Sequence, residues 1–334
     1  MLDLLDRSPG RTVEELAAAF GAGVTARLLE WEARGRVLIA RHVARVNEPI
    51  RDPEDLRGPD RVYPRSPPAV LLRKSLLYRS RSALGGYAIN PMEGCRHGCR
   101  YPCYAMAMMR RFGRVRSYAE WIQPKLAVGA EALLERELDR IDLAEAGPVT
   151  LSLTCDPFPY GEPQVAELSL GLIGQLNRRG VPVRVLTKGA LPVGLPLEAA
   201  GGRPNEFGVS LVSLHENFRR KYEPFAAPSP ERVAALRRLY EAGARTWACV
   251  EPYPPPSVVE QDLGRLLEAL SFVDALYFGR WNYGGAEVRG TTYTEAYQEA
   301  LDQVTRFCRS RGIACEARAP RAEGRRHTPD ACRR

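Results

Sequence analysis

From Gly86 onward the chain alternates two hydrophobic patterns. Short β-branched and apolar runs at residues 87–90, 148–155, 183–187, 207–213, 246–250 and 274–279 read as strands. Between them, apolar positions recur every three to four residues near 130–140, 165–179, 229–242, 258–270 and 294–311, which predicts amphipathic helices. Ser229 is the expected N-cap of the third, with Pro230 at the first helical position. Six strands with a helix after five of them predict a parallel sheet with right-handed crossovers. No G-x-G-x-x-G opens any unit, which favours an incomplete six-unit barrel over a dinucleotide-binding sheet. Functional groups are then expected at the carboxyl ends of the strands.

The fold class expected is therefore α/β, a partial (β/α)6 TIM-like barrel over residues 73–316. A smaller pattern precedes it. Thr12-Val-Glu-Glu15 is a capping box opening a helix through Phe20, and Val24, Leu28 and Trp31 repeat at helical spacing up to a stop at Gly35. A β-branched run over residues 37–46 then suits a wing. Helix, turn, helix and strand within residues 1–48 resemble a winged-helix domain, used either for DNA or for protein contact and packing. Its second helix sets Arg27 and Arg34 against Glu30 and Glu32, so it is not strongly basic. Residues 49–72, with Pro49, Pro53, Pro59, Pro64, Pro67 and Pro68, read as a linker, and residues 317–334 as a basic, disordered tail.

Composition narrows the class. The 334 residues suffice for two or three domains of roughly 100 to 200 residues each. No stretch approaches the roughly 18 apolar residues of a membrane span, and Met1 to Gly10 lack a secretory pattern. A cytoplasmic location with no membrane partner is the expectation. The net charge of +8 suggests an anionic partner, but only four of the 48 basic residues are lysines. So arginine-heavy a balance reads as codon bias, and it supports nucleic acid only weakly.

Eight cysteines in a reducing compartment point to metal ligands, reactive thiols or small buried hydrophobes rather than disulfides. Three are bunched directly after the first expected barrel strand, in Asn90-Pro-Met-Glu-Gly-Cys95-Arg-His-Gly-Cys99-Arg-Tyr-Pro-Cys103-Tyr104-Ala. Thiolates select zinc, copper(I) or iron-sulfur clusters. A closed zinc site or an ordinary four-iron cluster takes four ligands, so three leave one iron open. His97 as a fourth ligand would block that position and is read as a polar loop residue.

On these residues the loop resembles that of radical S-adenosylmethionine enzymes, in particular the spore photoproduct lyase-like branch, over roughly residues 73–290. The resemblance implies a four-iron four-sulfur cluster on Cys95, Cys99 and Cys103, whose open iron chelates S-adenosylmethionine. One electron, from a reductant such as flavodoxin or ferredoxin, then cleaves the cofactor and starts hydrogen abstraction on a substrate, with DNA a candidate. One departure stands out. The branch has C-x3-C-x2-C with an aromatic residue just before the last cysteine, whereas Pro102 makes this loop C-x3-C-x3-C. Proline favours extended geometry at Tyr101, so the loop is expected to bulge, returning Cys103 to the cluster and displacing Tyr101 from the adenine.

The strand ends add candidates by the same resemblance. Asp156 and Lys188 are placed beside the cofactor, Lys188 on its carboxylate. Ser210 and then Ser213 supply a hydroxyl, and Glu251 lies at the end of the fifth strand. Arg280 and Asn282, ending the sixth, are open-face residues or structural ion pairs. Cys155 is a candidate hydrogen donor and Tyr104 a candidate radical relay, against packing roles for both. A second reading is a non-catalytic winged-helix module, binding nucleic acid or protein, whose barrel site is degenerate or filled by zinc.

Overall fold

The computed structural model describes residues 1–21, 23–34, 36–40, 61–65, 67–80, 86–101, 103–142, 147–281 and 291–317. Gly35, the wing beyond Ala40, Pro102, Asn282, Cys332 and the tail after Ala317 lie outside these residues. At the amino terminus α1 (Leu2–Arg7), β1 (Arg11–Thr12), α2 (Val13–Phe20), α3 (Val24–Ala33), β2 (Val37–Ala40) and β3 (Arg61–Pro64) build three helices against an antiparallel sheet ordered β1-β3-β2. The capping box forms: Thr12 Oγ1 accepts from Glu15 N at 3.0 Å, and Glu15 Oε2 accepts from Thr12 N at 2.9 Å. Leu5, Leu16, Val24, Leu28, Val37 and Ile39 close a small core.

β3 falls within the expected linker. Arg61-Val-Tyr lies clear of the prolines on either side, and Pro64 occupies the last strand position, opposite Val37, where a missing N–H costs least. The amino-terminal unit therefore reaches Pro64 rather than stopping at residue 48. Then follow β4 (Ala69–Leu71), β5 (Leu77–Arg79), β6 (Tyr87–Ile89), β7 (Met92–Glu93), α4 (Tyr104–Arg111), α5 (Tyr118–Trp121), β8 (Lys125–Ala127), α6 (Ala130–Leu138), β9 (Val149–Leu151), α7 (Pro163–Arg178) and β10 (Val183–Thr187). After a hairpin of β11 (Glu198–Ala199) and β12 (Arg203–Pro204) come β13 (Glu206–Ser210), α8 (Glu216–Tyr222), α9 (Ser229–Glu241), β14 (Arg245–Tyr253), α10 (Leu263–Ala269), β15 (Ala275–Arg280), α11 (Thr291–Arg311) and β16 (Ala314–Ala317).

The main sheet has eight strands in the order β16-β15-β14-β13-β10-β9-β6-β5. All neighbours pair in parallel except the edge strand β5, antiparallel to β6. The six expected strands are β6, β9, β10, β13, β14 and β15, so the α/β reading with a mostly parallel sheet holds, consistent with a partial barrel, with β5 and β16 added at the edges. Strands such as β9 and β13 are buried along almost their whole length, as expected where helices cover one face and side chains fill the other. Leu134 of α6, Leu172 and Leu176 of α7, Leu236 of α9, Leu267 of α10 and Val304 of α11 pack into one core with them.

Several boundaries differ from expectation. β9 stops at Leu151, because Ser152 turns the chain with φ +60°. β13 stops at Ser210, which leaves Ser213 in the following loop. α10 begins only at Leu263, where Asp262 accepts from Gly264 N at 2.8 Å; the prolines before it hold residues 254–256 out of a helix. Ser229 lies inside α9, with Pro228 as N-cap, and its hydroxyl donates to Ser213 O at 3.2 Å instead of capping. Among the described residues, no helix is long and apolar enough to cross a membrane.

Candidate metal and cofactor site

The carboxyl end of β6 opens into the cysteine loop. Cys95 N donates to Trp121 O at 3.0 Å and Arg100 N to Tyr222 O at 2.8 Å, pinning both ends of the central turn. Two glycines are required. Gly94 has φ +91°, and a Cβ there would stand 2.8 Å from Trp121 O. Gly98 has φ +58°, and a Cβ would stand 2.6 Å from the Tyr118 hydroxyl, which donates to Gly98 O at 2.7 Å. Cys103 is the N-cap of α4, in extended geometry and with no side-chain capping hydrogen bond.

All three thiols are free. Burial pushes each of them up, Cys99 to about 12. Cys95 also feels Asp156, Cys99 and Cys103, and Cys99 feels Lys188, Glu223 and Cys103. Among the described residues no group of three His, Cys, Asp or Glu side chains is set close enough to hold a metal ion. Three free, desolvated thiols on one loop are the donor type an iron-sulfur centre takes, but they are not gathered on one point here.

Beside Cys99, the end of β10 presents Lys188. Its Nζ donates to Ser210 Oγ at 2.8 Å and to Glu223 Oε1 at 2.7 Å, and lies 5.2 Å from the centre of the Tyr101 ring. Tyr101 donates its hydroxyl to Glu223 Oε1 at 2.8 Å and packs on Trp281, ring centres 5.3 Å apart. Arg232 donates to Glu223 Oε2 at 2.7 Å. Burial alone would raise the Glu223 carboxyl, but Arg232 and Lys188 hold it well below the usual carboxylate range. For Lys188, Glu223 and Cys99 outweigh desolvation and raise the ammonium. Glu223 was not legible in the sequence; its only signal is a lone carboxylate between the basic run Arg219-Arg-Lys221 and Pro224.

Asp156, expected beside the cofactor, is buried at the end of the turn after β9. Its carboxylate accepts from Thr187 Oγ1 at 2.6 Å, Lys188 N at 2.8 Å and Phe158 N at 2.9 Å, with His97 Nε2 at 3.0 Å. It latches the cysteine loop to the ends of β9 and β10. Burial raises its carboxyl, and His97, Thr187 and the Lys188 amide together bring it below its ordinary value. His97, expected as a polar loop residue, is 1% exposed. Its ring is committed to Asp156 and, at 3.3 Å, to Phe225 O.

Cys155 was expected within a strand whose alternation would direct it. It lies instead in the turn after β9, its amide on Ser152 O at 3.3 Å, so strand alternation does not apply. Burial pushes its thiol to about 12, with Ser152 opposing and Asp156 adding to the rise. Tyr104 is half-exposed, donates to Leu153 O, and is raised by burial and then by Cys103 and Cys155. Tyr78 on β5, accepting from Asn90 Nδ2 at 2.6 Å, also faces Cys155 and was not singled out from the sequence. Ser213 stays apart from Lys188: its hydroxyl accepts from His215 N at 3.1 Å. Glu251 lies against Gly279 of β15 and within the field of Tyr297. The Arg280 guanidinium stacks on Tyr293 and Tyr297, at 5.3 and 5.6 Å.

With this geometry in place, comparison with solved structures is informative. A variant of spore photoproduct lyase with bound AdoMet and dinucleoside spore photoproduct superimposes with a TM-score of 0.53 at 16% identity, covering 74% of this chain and 80% of that one. The chain has the fold of spore photoproduct lyase. A second variant, with dinucleoside spore photoproduct alone, gives 0.51 at 17% identity over the same shares. No family model matches the sequence. The uncharacterized protein MJ0683 of Methanocaldococcus jannaschii is 25% identical over 197 residues, 58% of this chain and 69% of that protein. The uncharacterized protein Rv2578c of Mycobacterium tuberculosis is 32% identical over 173 residues, and the match spans 51% of this chain and half of that protein.

Proposed function

We propose that this chain is a radical S-adenosylmethionine enzyme of the spore photoproduct lyase-like branch. The observation that carries the reading is the placement of a three-cysteine loop at the carboxyl end of the first parallel strand, with the Lys188, Ser210 and Glu223 group in the field of Cys99. Cys95, Cys99 and Cys103 would hold a four-iron four-sulfur cluster, and Lys188 with Ser210 would receive the cofactor carboxylate. Bound there and reduced by an external donor such as flavodoxin or ferredoxin, such a cluster would supply the electron for cleavage of S-adenosylmethionine and the hydrogen abstraction that follows.

The chain's own groups do the positioning. Glu223 holds Lys188 and Tyr101, and Asp156 locks the loop to the sheet. Cys99 is buried in the barrel core, while Cys95 and Cys103 pack, partly buried, against the cluster of Leu38, Tyr63, Ala105, Trp121 and Ile122. Cys155 and Tyr104, brought together at the same end of the sheet, are the groups we assign to hydrogen transfer after abstraction. DNA is the substrate class we favour. The order of helices and strands in the amino-terminal unit is compatible with a winged helix, and the net charge of +8 adds weak support. The C-x3-C-x3-C spacing supports a second reading, a non-catalytic binding module whose site takes zinc or nothing.

Anaerobic reconstitution with iron and sulfide tests both. About four irons per chain, brown absorption and formation of 5'-deoxyadenosine with a strong reductant are expected. Stoichiometric zinc without iron establishes the second reading instead.

A further inference from the structure

The positive charge of the chain is concentrated in one stretch. From Arg61 to Ala119 there are twelve Arg and Lys residues and a single carboxylate, Glu93, a balance of +11 where the whole chain carries +8. The remainder is therefore slightly acidic. Codon bias multiplies arginines throughout a chain, but it does not strip Asp and Glu from one segment, so this depletion has a local cause. Elsewhere surface arginines stand beside carboxylates, as Arg179 does with Glu135 and Asp139, and Arg311 with Glu268.

Two of the twelve turn inward: Arg65 and Arg96 share the Glu162 carboxylate, at 2.6 and 2.9 Å. Others gather around β7. Arg73 donates to Met92 O at 3.3 Å and Arg114 lies 2.6 Å from Glu93 Oε2, so these two flank the strand, and Lys74 is exposed beside Arg73. The amphipathic character of α4 supplies the rest. Ala105 is buried, and Met106 and Met109 pack with it against Val115 and Trp121, which leaves Arg110 and Arg111 exposed at the end of the helix. The chain then turns back at Gly113, φ +67°, with Arg114 N on Met109 O at 2.9 Å, and the exposed Arg116 follows at the same corner. Among the described residues Lys74, Arg110, Arg111 and Arg116 have no ion pair.

Aromatic surface accompanies this charge. Phe112 is 60% exposed and Tyr104 50%, and exposed rings among basic side chains suit stacking on an unpaired base. Tyr104 opens α4 at the carboxyl end of the sheet, donating to Leu153 O. Arg111 ends the same helix, about 10 Å farther along its axis. That distance is the axial length of about three nucleotides of one DNA strand.

We propose that Lys74, Arg110, Arg111 and Arg116 form a surface that holds the phosphate backbone of DNA, with the strand entering the site past Tyr104. The inference deepens the DNA reading above and places the backbone contact on the barrel side, beside the cysteine loop, rather than on the amino-terminal unit. Unpaired guanidinium and ammonium groups free of nearby carboxylates attract phosphate, and each phosphate they neutralise releases counterions.

The test is fluorescence anisotropy of a labelled DNA duplex with the full-length protein at several salt concentrations. Arg110→Ala with Arg111→Ala is expected to weaken binding and to flatten the slope of log K against log salt by about 1 for each arginine that meets a phosphate. Arg110→Lys with Arg111→Lys is expected to keep the slope, and so is Arg306→Ala with Arg309→Ala, a pair of exposed arginines on α11. An unchanged slope in the first pair, or an equal loss in the α11 pair, overturns the proposal. Displacement of the duplex by polyglutamate at equal charge concentration, as readily as by unlabelled duplex, also overturns it, because the surface would then take any polyanion. If thermal unfolding shows the first pair to be destabilised, Lys74→Ala with Arg116→Ala gives the same slope measurement, and an unchanged slope there overturns the proposal. Wild-type protein that binds no duplex even at low salt defeats the DNA reading itself, whereas binding that the variants leave untouched defeats only this placement.

Discussion

Glu223 is where the site's electrostatics can be tested most directly. Glu223→Gln keeps the shape of the side chain and an acceptor for Tyr101, but removes the carboxylate that pairs with both Lys188 and Arg232. All three groups are buried, with side-chain exposures of 3%, 16% and 1% for Glu223, Lys188 and Arg232. Leaving a buried charge without its partner costs about 3–5 kcal/mol. At about 2–4 °C per kcal/mol for a domain of this size, the melting temperature should fall by about 6–20 °C. The pH dependence follows from the two shifts. Glu223 is depressed in the folded state, so its contribution is complete above the unfolded carboxyl value of about 4.3 and is lost as pH falls towards the folded one. Lys188 is raised, so its share is complete below about 10.4 and is lost as pH rises through the folded value. The gap between wild type and variant should be level between about pH 5 and 9 and narrow in acid. Thermal unfolding of the metal-free protein, followed by circular dichroism across that range, measures it. Lys188→Met should cost less, because Glu223 keeps Arg232 and Tyr101. A gap below about 1 kcal/mol, or one that widens in acid, would refute the account of a buried charge group.

Gly98→Ala should lower iron uptake and destabilise by about 1–3 kcal/mol, since its φ of +58° and the Tyr118 hydroxyl both exclude a Cβ; normal iron content would show that the turn is adjustable. Cys155→Ala should keep the cluster and cofactor cleavage yet change the fate of the substrate, as product analysis would reveal; loss of folding would assign Cys155 to packing. If the amino-terminal unit binds duplex DNA, truncation after Pro64 should weaken affinity and flatten its dependence on salt, read by fluorescence anisotropy at several ionic strengths. Unchanged affinity and slope would leave the unit its structural contact with the cysteine loop.

The α/β alternation, the six inner strands, the capping box of α2 and the bunched cysteines are all local in the chain. Periodicity and short spacings report on a residue's immediate neighbours, so patterning alone determined these features. Lys188 and Ser210 were reached through likeness of their strands to a known branch, and the fold brings the pair to 2.8 Å. What the sequence left undecided depends on partners far along the chain. Glu223 acquires its role from Tyr101, Lys188 and Arg232, separated from it by 122, 35 and 9 residues. Asp156 was singled out by resemblance, and its bonds to Thr187 and His97 form only once β9 and β10 are side by side. The strand within the expected linker went unread for a related reason. Strand pairing is a property of two segments, and Arg61–Pro64 shows itself as a strand only against β1 and β2. The link from Arg65 through Glu162 to Arg96 likewise spans 97 residues in sequence and a single carboxylate in space, so only the tertiary structure could place it.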